Sequence, residues 1–181
     1  MKNYFILLSI FFLSFLPKQE AINWQNGSEL NWKSFKAKAP RSSSYRALSA
    51  VGISAGMSLE NNILELTVQS FFEPKESWTK EKESEYLLNH EQMHFNISEI
   101  HARRLRKEYL NADWTLKNFN SNFSKMLKKQ LAEENKMQKA YDSETNHSIV
   151  KEEQTRWDRF IKKELKELNR YGSNRVVLKL K

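Results

Sequence analysis

The sequence predicts an α+β fold, a small antiparallel sheet followed by a mainly antiparallel helical bundle, and three observations predict it. Two β-branched and aromatic segments, "YRALSAVGISAGMSLE" and "NILELTVQSFFEP", are separated by the turn-forming "ENN". From Lys75 to the C-terminus there is no proline, and helix-forming Glu, Lys, Leu and Gln prevail. Glycine numbers only 4 and proline 3 while aromatics reach 12% of residues, which argues against disorder and against a turn-rich all-β chain.

Taken in order, the first stretch "MKNYFILLSIFFLSFLPKQEA" carries a lone lysine, an apolar run from Tyr4 to Leu16, then Pro17 and polar residues. The run is too short for a comfortable membrane span, and its flanks match a secretory signal. Residues 1–21 are therefore expected to be a signal peptide and residues 22–181 a single domain, exported to the periplasm or beyond the cell, with an uncleaved anchor as the alternative. No later segment is apolar enough to cross a bilayer.

The stretch from Asn31 to Pro74 is strand-like, and its two segments are expected to pair as a hairpin. Three helices follow, over Lys80–Tyr109, Leu116–Tyr141 and Ile149–Tyr171, with Gly172 as a stop and "RVVLKL" as a closing strand that returns to the sheet. Leu87, His90, His94, Ile97, His101 and Leu105 recur at intervals of three and four, so one stripe of the first helix faces inward. The third helix repeats the device at Val150, Trp157, Ile161, Leu165 and Leu168.

The formal charge is +8, and loss of Lys2, Lys18 and Glu20 with the signal leaves +7. Acidic residues are mixed among the lysines throughout, which reads as solvated helix faces with scope for association with an anionic envelope surface. No recognised nucleic-acid fold or basic stripe accompanies the charge, so no nucleic-acid partner is expected. Cysteine is absent, which rules out disulfides, thiolate ligands and a cysteine nucleophile.

Chemistry concentrates in "LLNHEQMHFNISEIHARRLRKEY", which holds three of the 4 histidines. Residues four apart on a helix stand one above the other, so His90 and His94 can direct two imidazole nitrogens at one ion. Glu91 lies about 100° around the helix from His90. There it flanks the metal and can accept a proton from water that the metal activates, as in a zincin-like active-site helix. Two buried imidazoles beside a carboxylate need partners or they cost stability, and a cation serves both.

His101 lies about 10.5 Å beyond His94 along an unbroken helix, too far to share the ion, and packs within the stripe. His147, in the polar "AYDSETNHS" where the second helix should end, is the expected third ligand. Asp142 is the alternative, either as ligand or as partner of a histidine ligand. Glu99 and Arg103 are spaced as a helical ion pair, which matters only if burial gives it importance.

Four ordered blocks, "LNWKSFKAKAP", "VQSFFEPKESW", "LLNHEQMHFNISEIHARRLR" and "YDSETNHSIVKEEQTRW", resemble the bacterial domain-of-unknown-function 922 family, described as predicted secreted zinc-dependent proteases. The resemblance implies that His90, Glu91 and His94 form the metal block and that Tyr141, Asp142, Thr145 and His147 form a second functional block. Two departures stand out: Asn96, where the family has an acidic residue, and Ser148, where it tends to have glycine.

The expected activity is that of an exported zinc metallopeptidase acting on a peptide or protein, with zinc (Zn2+) held by His90, His94 and His147 and Glu91 as general base. Tyr141 is the candidate donor to the oxyanion, and "ILELTVQSF" the candidate sheet edge for an extended substrate. The rival readings are a noncatalytic zinc-containing envelope binding protein and a metal-dependent amidase acting on cell-wall peptides.

Overall fold

A computed structural model describes residues 21–25 and 27–180. The expected signal segment lies outside the described residues, apart from Ala21. Strands β1 (Ile22–Asn23), β2 (Ala47–Leu48), β3 (Val51–Glu60), β4 (Ile63–Phe72) and β5 (Trp78–Thr79) precede helices α1 (Glu85–Asn111), α2 (Phe119–Thr145) and α3 (Lys151–Glu167), and β6 (Arg175–Lys179) closes the order. The α+β arrangement is as the composition predicts. Among the described residues no helix is long and apolar enough to cross a membrane.

Strands β3 and β4 form the expected hairpin, registered from Val51 opposite Phe72 to Glu60 opposite Ile63. Its turn residues Asn61 and Asn62 have φ of 49° and 63°, the left-handed pair that a tight two-residue hairpin needs and that asparagine tolerates. On the other side of β4, β1 pairs with Phe71 and Phe72 while β6 pairs with Ile63 to Thr67. This corrects one expectation: "ILELTVQSF" is the central strand, not an open edge, because both ends of the described chain come back to cover it. A second, two-stranded sheet joins β2 to β5.

Along β4 the side chains alternate, and Leu64, Leu66, Val68, Ser70 and Phe72 are fully buried against α1. Helix α1 is sandwiched. Ala102, Leu105 and Tyr109 meet the sheet, whereas Met93, Ile97 and Ile100 meet Tyr141 of α2 and Trp157 and Ile161 of α3. Leu87 and Phe95 close a third cluster with Leu30, Trp32 and Phe35. The inward stripe predicted for α1 is thus real, but the helix is buried on more than that stripe.

Helix boundaries shift for local reasons. Helix α1 starts at Glu85 rather than Lys80 because Thr79 is held in the β2–β5 pair and the Ser84 side chain accepts from the Leu87 amide at 3.1 Å as N-cap. Helix α2 runs past Tyr141 to Thr145, so Asp142 stays on its last turn. The chain then takes left-handed φ values of 46°, 52° and 71° at Asn146, His147 and Ser148, and reverses into α3.

Glu99 and Arg103 are not a surface pair. Both are buried, and Glu99 accepts from Arg103 Nε and Arg106 Nη1, each at 2.9 Å, and from Ser70 Oγ at 2.7 Å. Arg106 also donates to the carbonyls of Val68 and Tyr171, and Arg103 to that of Leu165. The cluster ties β4, α1 and the end of α3 together with charge-assisted bonds, the condition under which buried charges are tolerated.

Candidate metal centre

A cavity of about 410 Å³ opens between the segment Tyr45–Ser49, the first half of α1 and the second half of α2. His90, Glu91 and His94 line it from α1, while Glu134, Gln138 and Asp142 line it from α2 at helical spacing. Because α1 and α2 pack side by side, the last turn of α2 sets Asp142 opposite the two histidines.

Nε2 of His90 and Nε2 of His94 are 3.3 Å apart, and Oδ1 of Asp142 lies 3.3 Å from the first and 3.1 Å from the second. A tetrahedral ion with bonds of about 2.0–2.1 Å has ligand-to-ligand edges of about 3.3–3.4 Å. The three donors therefore have the spacing of one face of a zinc tetrahedron, and they form a group that could hold a metal ion.

The tautomers are fixed from behind. His90 Nδ1 lies 2.8 Å from Gln154 Oε1, and His94 Nδ1 lies 2.7 Å from Gln138 Oε1. Neither amide is free to turn over: Gln154 Nε2 donates to the Tyr141 hydroxyl at 2.6 Å and Asp158 Oδ1 at 2.7 Å, and Gln138 Nε2 donates to the His94 carbonyl at 2.9 Å. Carbonyl oxygens only accept, so each Nδ1 carries the hydrogen and each neutral ring presents a bare Nε2. Three lone-pair atoms thus converge, an arrangement that needs a proton or a cation between them.

The electrostatics agree. With a proton in place of the cation, burial pushes the Asp142 carboxyl up, but hydrogen bonds from the Nε2 atoms of His90 and His94 hold it well below the usual carboxylate range. Burial alone would lower His94, yet the bond to Asp142 and its charge, with Glu91 beyond, raise it above the ordinary imidazole value.

Glu91 is buried beside this group, and its Oε2 accepts from Ser49 Oγ at 2.7 Å. Ser49 belongs to the segment after β2, so the cleft wall aims the carboxylate. His147 stands outside the three-donor group: its Nδ1 is 3.3 Å from Asp142 Oδ1, its side chain is exposed, and its ring meets that of Tyr45 at 4.7 Å. The left-handed corner carries it off the helix, while Asp142, still helical, faces the histidines.

Tyr141 lies beneath the centre. Its ring stacks on His90 at 4.6 Å, and its hydroxyl donates to the His90 carbonyl at 3.3 Å while accepting from Gln154. Burial, opposed by that amide, drives its phenol pKa far above the ordinary value. His101 is buried on α1, with Nδ1 3.0 Å from Gln130 Oε1. Asn96 accepts from Trp24 Nε1 and Gln92 Nε2, each at 3.0 Å, which fastens the segment after β1 to α1.

Gln138, Gln154, Ser49 and Glu134 were not singled out from sequence. For the helical ones a signal existed: Gln130, Glu134, Gln138 and Asp142 recur every four residues along α2, and Gln154 interrupts the apolar stripe of α3 between Val150 and Trp157.

The family model described as "Bacterial protein of unknown function (DUF922)" matches residues 28–148, a span that includes His90, Glu91, His94, Asp142 and His147 and stops before α3. Neither the curated proteins nor the solved structures gave a match. With about two thirds of its length under that model, the chain belongs to the DUF922 family.

Proposed function

We propose that this protein is an exported zinc-dependent peptidase in which His90, His94 and Asp142 hold the metal and Glu91 is the general base. The observation that carries the reading is the convergence of two tautomer-fixed Nε2 atoms and one carboxylate oxygen at 3.1–3.3 Å beside an independently anchored glutamate. Zinc bound there supplies a Lewis acid that activates water and polarises a carbonyl at neutral pH.

The remaining work falls to the chain. Glu91, with Oε2 held by Ser49, accepts the proton as the water oxygen bonds to the scissile carbonyl carbon, and returns it to the amine nitrogen as the C–N bond breaks. His147, exposed at the rim, takes the role of donor to the carbonyl oxygen, because both functions of the Tyr141 hydroxyl are used within the core.

The substrate strand lies along β2. The backbone carbonyl of Arg46 accepts from the Lys80 amide at 2.8 Å, so alternation on the β2–β5 ladder turns the amide and carbonyl of Ala47 away from β5 and leaves them for an extended peptide.

The test is zinc analysis of the purified protein followed by peptide cleavage by the wild type and Glu91→Gln. One zinc per chain in both, with cleavage reduced about 10²-fold or more in the variant, is the expected result. Zinc without any Glu91-dependent cleavage would make the metal structural and the protein a binding module.

A further inference from the structure

One charge in the cleft has no use in the chemistry above. Glu134 lines the same cavity, is only 6% exposed, and sits eight residues before Asp142 on α2, a rise of about 12 Å. Its Oε1 accepts from Ser98 Oγ. Among the described residues no lysine, arginine or histidine forms an ion pair with it, and burial pushes its carboxyl up to about 6. Glu99, buried still more deeply, has two arginines.

A carboxylate set in a wall without a cation is costly, and a neutral glutamine would serve Ser98 equally well as an acceptor. A divalent cation at the metal centre balances Asp142 and Glu91, which leaves Glu134 as the uncompensated charge of the cleft.

We propose that Glu134 is the specificity-determining subsite of the cleft and receives the ammonium or guanidinium group of a lysine or arginine side chain in the peptide substrate. The inference rests on the peptidase reading and deepens it. The rise of about 12 Å between Glu134 and Asp142 along α2 sets the basic residue near, but not at, the scissile bond.

The test compares zinc-loaded wild type and Glu134→Gln on a peptide series in which one position at a time is Lys, Arg, Leu or Glu. Wild type is expected to favour Lys and Arg over Leu at one position by about tenfold or more in kcat/KM, and Glu134→Gln to erase that ratio. No basic preference in wild type, or an unchanged ratio in the variant, overturns the proposal.

A hydrolysis-independent arm separates this outcome from failure of the peptidase reading. Binding of cadaverine and of a lysine-containing peptide is measured with Glu91→Gln and with Glu91→Gln/Glu134→Gln. Binding weakened about tenfold by the second substitution supports the subsite even if no peptide is cleaved, and equal binding sinks it.

Discussion

Gln138 grips one histidine twice: its Oε1 lies 2.7 Å from His94 Nδ1, and its Nε2 donates to the carbonyl of the same residue at 2.9 Å. The side chain thereby sets the tautomer and the orientation of the ring together. Groups behind metal ligands act in this way, and their loss typically lowers metal affinity by about 10–100-fold. Gln138→Leu is expected to weaken zinc binding by that factor without unfolding the protein, as measured by competition with a chromophoric chelator. Unchanged affinity would mean that the ring needs no such support.

Asp142, the alternative to His147 in the sequence, lies in the three-donor group, whereas His147 lies outside it. Asp142→Ala is expected to lose stoichiometric zinc, whereas His147→Ala keeps it and loses turnover. Zinc content by atomic emission and cleavage rates on the same samples decide the matter, and the reverse pattern would assign the third donor to His147.

Glu134 makes stability depend on pH in a calculable direction. Its folded pKa of about 6 exceeds the ordinary 4.5, so the unfolded chain releases this proton first and the folded state loses stability as pH rises between those values. Glu134→Gln keeps an acceptor for Ser98 without the charge. It is expected to be more stable than wild type by about 2 kcal/mol at pH 7 and by little at pH 4, as read by urea unfolding. An equal difference at both pH values would refute the cause.

Arg106 is the keystone of the buried cluster, since its loss takes one of the two arginines from Glu99 and strands the carbonyls of Val68 and Tyr171. Arg106→Met is expected to cost about 3–5 kcal/mol in unfolding free energy. A cost below about 1 kcal/mol would show that water replaces the guanidinium.

Much of this was legible in the sequence, for definite reasons. The period-two segments around "ENN", the three helical stretches and the four-residue spacing of His90 and His94 are local patterns, and local patterns set hairpins, helices and ligand pairs. What escaped reading depends on distant returns of the chain. The return of "RVVLKL" to the sheet was expected, but not that β1 and β6 share one side of β4, and the placing of Asp142 opposite the histidines depends on one extra helical turn past Tyr141. The importance of Glu99 and Arg103 likewise turned on burial, which spacing does not encode. Ser49 reaches Glu91 across 42 residues, and nothing local announces it.

At the corner between α2 and α3, three consecutive non-glycine residues hold left-handed φ values, and Ser148 also buries an Oγ without a hydrogen-bond partner among the described residues. Left-handed backbone disfavours side chains at roughly 1–2 kcal/mol per residue, less for asparagine. The frustration of this region is therefore gathered into the short joint that bears His147. That imidazole thus hangs from a strained joint, while the other two are clamped by their glutamines.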